Sequence, residues 1–164
     1  MPKLAELNAL PRDEFTRILG PVFEHSPWVA ERTSDQRPFE TRAHLHAAMC
    51  ERVQHATEEE KLALIRAHPD LVGRAVLTSE SQQEQASAGL SDLTRAEVAL
   101  FDRYNREYRE RFDFPFVICA RLNKKEAILN AFPQRLGHSR VKEIETALAE
   151  IYKIAELRLR DLVP

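Results

Sequence analysis

Apolar residues along this chain recur at intervals of three and four, a spacing that predicts helices rather than strands. The clearest case is the C-terminal stretch. There Val141, Ile144, Leu148, Ile151, Ala155, Leu159 and Leu162 form one apolar stripe on a single helix face. Ser139 is placed to cap its start, and Arg158 and Arg160 lie near its end, where cations suit the helix dipole. A second long helix is predicted from about Thr94 to Phe112, with Phe101, Tyr104, Tyr108 and Phe112 on one face. Thr94 and Glu97 match a reciprocal capping box, and Thr57 and Glu60 repeat it ahead of LALIRA. Pro69 helps to end the helix that follows Thr57, and Pro27, after Ser26, sits where a first helical turn would begin. Further helices are expected over 12–19, 40–55, 79–87 and 124–132.

One stretch breaks the helical spacing. Residues 112–120, FDFPFVICA, are aromatic and β-branched, and Pro115 interrupts any helix. With only four glycines and no Asn-Gly or Asp-Gly hairpin signal, no partner strand is in view. The fold class expected is therefore all-α, in a single domain spanning 1–164, with one short extended segment near 114–120. The polar backbone of a lone extended segment must find side chains, water or a ligand, so this segment is a plausible pocket wall.

Composition narrows the function. With 43% apolar and 30% charged residues in 164, the chain can bury a core without disulfide or metal staples. Lys and Arg number 24 against 26 Asp and Glu, a balance that argues against nucleic-acid binding through bulk positive charge. No apolar run approaches the ~20 residues that span a bilayer, so no membrane partner is expected. Two cysteines, Cys50 and Cys119, favour a reducing compartment over a disulfide framework. The first ten residues lack the pattern of a secretory signal, and DLVP is not a Ser-Lys-Leu type of ending, so cytoplasm is the expected location.

Four groups of residues could carry chemistry. His44, His46 and His55 lie on one predicted helix, but His44 and His55 are about three turns apart and His46 faces elsewhere, so no metal site is expected. His68 follows a helix end in RAHPDLVGRA, where it either caps the last carbonyls or points into a cleft as an acid or base. Ser81, Glu84 and Gln85 fall at i, i+3 and i+4, so a hydroxyl, a carboxylate and an amide share one side of a helix; an ordinary polar face is the simpler alternative. Arg121 ends the apolar FVICA run and either pairs with a local carboxylate or clamps an anionic ligand with its planar fork.

Taken together, FEHSPWVAE (23–31), RPF (37–39), IRAHPDL (65–71), LTSESQQEQASAGL (77–90), YNREYRERFDFPFVICAR (104–121) and the RLRDLV ending (158–163) resemble the 2-oxo-4-hydroxy-4-carboxy-5-ureidoimidazoline (OHCU) decarboxylase family of urate degradation. The HPDL, ES-x-x-EQ and FPFVI-x-x-R elements occur in the family's order and cover nearly the whole chain. The resemblance implies an all-helical, cofactor-free enzyme that forms a homodimer and releases CO2 from a small ureidoimidazoline to give (S)-allantoin. By motif it makes His68 the catalytic acid/base, with Pro69, Ser81, Glu84, Gln85, Ile118 and Arg121 binding substrate and no metal ligand. One departure is a stretch between HPDL and ES-x-x-EQ several residues shorter than in many family members. Two other readings compete: a non-catalytic helical interaction module using the 139–162 stripe, and a metal-dependent hydrolase using the 44–55 histidines.

Overall fold

The structure is a computed structural model that describes residues 1–73 and 76–164. Its described residues contain nine α-helices and no strand. They divide into two compact units, Met1–Ala67 with Tyr152–Pro164, and His68–Ile151.

The first unit holds α1 (Leu4–Ala9), α2 (Arg12–Leu19), α3 (Trp28–Thr33), α4 (Arg42–Gln54) and α5 (Glu58–Arg66), with the last part of α9 (Arg140–Leu162). Helix α3 packs on both α2 and α4, and Leu7, Phe15, Leu19, Val29, Leu45, Met49, Leu64 and Leu159 are buried. The Thr57–Glu60 box starts α5, each N–H accepted by the other side chain at 3.1 Å. Arg158 departs from the expected role at a helix end. It is buried, donating to Glu24 at 2.8 Å and to the Pro21 carbonyl at 3.0 Å, because its neighbours on α9 carry it into the core.

The second unit is built from α6 (Ser79–Ser87), α7 (Arg95–Phe112), α8 (Lys125–Leu136) and the first part of α9. The predicted aromatic face of α7 is buried at Phe101, Tyr108 and Phe112, and Phe116 stacks on Phe132 with ring centres 3.8 Å apart. Asp113, in the left-handed region at φ 62°, ends α7 and starts the irregular segment that the aromatic run predicted. Residues 114–120 are all buried, and side chains satisfy part of their backbone. Arg135 donates to the Val117 carbonyl at 2.6 Å, Glu150 accepts from the Cys119 N–H at 3.1 Å, and Asn123 donates to the Cys119 carbonyl at 2.9 Å. Helix α8 continues past Pro133 to Leu136; the proline removes a donor only in the last turn, and the extra turn delivers Arg135 to its buried place.

The start of α9 is rotated from the predicted stripe. Val141 is 70% exposed, whereas Glu143 is 0% exposed. The carboxylate turns inward because three donors converge on it. Arg135 reaches it at 2.8 Å, His138 lies 3.0 Å away, and the Tyr108 hydroxyl donates to it. Burial, then the bond to Glu143, pushes the Tyr108 hydroxyl well above the usual phenol range, which keeps it a donor. Removing one member of a buried ion pair strands the other in a low dielectric. Glu143→Ala is therefore expected to lower the unfolding free energy by about 3–5 kcal/mol in urea titrations followed by circular dichroism. A change below about 1 kcal/mol, the range of an exposed pair, would show that this network is solvated.

Candidate active site

Helix α6 gathers the polar residues picked out in the sequence. Thr78 caps it by accepting from the Ser81 N–H at 3.2 Å. Ser81 and Gln85 are buried along one side, and Glu84 is half-buried. The helix packs against a short 3-10 turn, Ala120–Leu122, which carries Arg121 on its exposed side. Two further bonds fasten the same junction: Lys124 Nζ donates to the Ser87 carbonyl at 2.8 Å and the Lys125 N–H to the Ala88 carbonyl at 3.1 Å.

The turn after His68 is tied to the same helix. Gln85 Oε1 accepts from the Val72 N–H at 3.1 Å. His68 itself is 7% exposed and Pro69 is half-buried. Three stretches far apart in sequence are thus joined through α6: the His68–Gly73 loop, the Ser81–Gln85 face and the Ile118–Leu122 segment. Ile118 is buried just ahead of that turn. Cys119, beside it, registers the local field. Burial pushes its thiol up, the Leu122 amide opposes that, and the carboxylates of Glu150 and then Glu84 push it higher.

Besides Gln85, two residues that the sequence did not single out hold the His68 loop. Asn105 Nδ2 donates to the Leu71 carbonyl at 2.8 Å, and Arg109 Nε meets both Asp70 carboxylate oxygens at 2.9 and 3.1 Å. Asn105 could have been noticed, because it shares the buried aromatic face of α7. Val72 adopts φ 58°, a left-handed conformation costly for a β-branched residue. A cleft of about 850 Å³ is lined by Asp70, Val72, Asn105 and Arg109; His68, Ser81 and Arg121 do not line it. The stretch between HPDL and ES-x-x-EQ, expected from the sequence to be short, includes residues 74–75, which lie outside the described residues.

The α4 histidines have other partners. His44 Nδ1 accepts from the Glu40 N–H at 3.3 Å, and His46 Nε2 lies 2.8 Å from the Tyr152 carbonyl. Among the described residues no group of three or more His, Cys, Asp or Glu side chains could hold a metal ion.

Comparison with known proteins gives one family. A model described as OHCU decarboxylase matches residues 8–160. A 2-oxo-4-hydroxy-4-carboxy-5-ureidoimidazoline decarboxylase from Haloferax volcanii is 46% identical over 96% of this chain and 94% of its own length. A protein of the same name from Amia calva is 40% identical over 98% of this chain and 94% of its own. Among solved structures, an (S)-allantoin synthase superposes over the whole chain with a TM-score of 0.83 at 31% identity, and this chain spans 54% of it. An OHCU decarboxylase crystallised in the presence of (S)-allantoin shares the fold, with a TM-score of 0.72 at 24% identity.

Val72→Gly tests whether the turn behind His68 is strained. Glycine reaches positive φ freely, so relief of strain outweighs the added freedom of the unfolded chain, and stability is expected to rise by about 1 kcal/mol in urea titrations. A loss of stability would show that the valine conformation is unstrained.

Proposed function

This chain belongs to the OHCU decarboxylase family, and we propose that it decarboxylates 2-oxo-4-hydroxy-4-carboxy-5-ureidoimidazoline to (S)-allantoin at the α6 site. The observation that supports this most is the joining of the His68 loop and the Arg121 turn to one helix, α6, which carries Ser81, Glu84 and Gln85. The reading includes a cytoplasmic homodimer that needs no cofactor, nucleic acid or membrane.

The substrate carries its carboxylate on a ring carbon that also bears a hydroxyl. When the bond to the carboxylate breaks, CO2 leaves and its bonding pair forms a double bond to the neighbouring ureido-bearing carbon, whose C=N pair moves onto the ring nitrogen and is protonated there. The resulting enol then loses its hydroxyl proton to become the product's carbonyl as the ureido-bearing carbon takes up a proton. The substrate supplies its own electron sink, so the protein's tasks are orientation, charge placement and delivery of one proton.

Arg121, on the exposed side of its turn, offers a guanidinium fork to an anionic or carbonyl oxygen and stabilises charge developing there. Ser81, Glu84 and Gln85 fix the ureido group and ring by hydrogen bonds and align the breaking bond. Gln85 can donate its Nε2 to a ligand while its Oε1 holds Val72. Pro69 and the backbone around Ile118 wall the ring. His68 engages the hydroxyl and carboxylate region and delivers the proton. Delivery to one face of the planar intermediate sets the hand of the product.

Freshly generated urate-oxidation intermediate is the assay substrate, followed through the appearance of optically active allantoin. His68→Asn, folded by circular dichroism, is expected to lose about 10²–10⁴ in kcat, the usual worth of a positioned acid or base. Turnover near that of the wild type would remove His68 from the chemistry. Arg121→Lys should also lose activity, because a point charge cannot reproduce a planar fork. In a separate test, exhaustive dialysis against EDTA should leave the rate unchanged. A loss restored by added metal would point to the hydrolase reading instead.

A further inference from the structure

We propose that Asn105 is a positioning residue for the reaction, fixing His68 through the carbonyl of Leu71; the inference rests on the assignment of His68 above. Each residue from Asp70 to Gly73 has a fixed partner. The Asp70 carboxylate is held by Arg109, the Leu71 carbonyl by Asn105, and the Val72 N–H by Gln85, while the Gly73 N–H closes back on the Asp70 carbonyl at 3.3 Å. Pro69 restricts the one residue between His68 and this clamp. A histidine leading into a turn held in this way has little freedom to change its reach.

Of the three clamping side chains, Asn105 is the one that leaves a polar atom of its own unmet in order to hold the loop. It is 7% exposed and donates one hydrogen bond to Leu71, yet its Oδ1 is buried with no partner among the described residues. A buried acceptor left unmet costs at least as much as one neutral hydrogen bond contributes. Leucine has the same four-atom branched side chain, bulkier but without polar atoms, and on the aromatic face of α7, between Phe101 and Tyr108, it would leave no side-chain acceptor unmet. What leucine cannot do is hold the Leu71 carbonyl. The amide is therefore kept for the geometry of the His68 loop.

The test is Asn105→Leu, assayed for kcat and KM with the urate-oxidation intermediate, alone and combined with His68→Asn. Expected is a fall in kcat of about 10- to 100-fold with little change in KM, the scale at which a small misplacement acts. In the His68→Asn background the same substitution should cost almost nothing, because the residue it positions is gone. Unchanged kcat, or an equal loss in both backgrounds, would overturn the proposal. Asn105→Ser, which adds no bulk and is too short to reach Leu71, carries the same expectation if the leucine variant does not fold. An independent readout is the NMR resonance of the labelled His68 ring, which should shift or broaden in either variant while the other histidines stay unchanged. Should the wild type release no allantoin, the decarboxylase reading fails by itself, and this resonance still decides the role of Asn105: a ring signal identical to the wild type's would refute it.

Discussion

Backbone that is buried outside a helix must find hydrogen-bond partners, and in the unit that carries the candidate site no sheet among the described residues offers them. Helix side chains take over that task. Arg135 and Glu150 hold the segment before Arg121, and Asn105 and Gln85 hold the loop after His68. Without these bonds each irregular stretch would carry unmet polar groups into an apolar core. The two stretches that bear the proposed catalytic groups are thus the ones the helices are built to support.

This arrangement explains why buried charge is concentrated where it is. Arg135 is costly to bury, and Glu143 compensates it with help from His138 and Tyr108. In return the guanidinium reaches the Val117 carbonyl, four residues ahead of Arg121. Gln85 has two tasks at once, since the side chain that offers an amide to a ligand also anchors Val72. A site assembled in this way needs few moving parts, which suits a reaction whose substrate carries its own electron sink.

The long helices were legible because their signals are local. The Thr94–Glu97 box and the aromatic spacing of α7 lie within one segment and need no distant partner. Helix α1 escaped, having only six residues, too few to show a period. The inward turn of Glu143 escaped because its cause is Arg135 and Tyr108, on other helices. Within the site, His68, Glu84 and Arg121 stood out through family motifs rather than through spacing, which favoured bland roles for the first two and left the third open. Asn105 was hidden for a related reason: its partner, the Leu71 carbonyl, lies 34 positions away, and a carbonyl leaves no mark in the sequence.

The account depends on the imidazole at 68 and the guanidinium at 121 serving one small ring. The most direct measurement is an NMR titration of the protein, labelled at histidine rings and arginine side chains, with (S)-allantoin. Simultaneous, saturable shifts of the His68 ring and the Arg121 Nε–H with one shared dissociation constant are the predicted result. Shifts at only one of the two, or at neither while allantoin binds elsewhere, would contradict a common site.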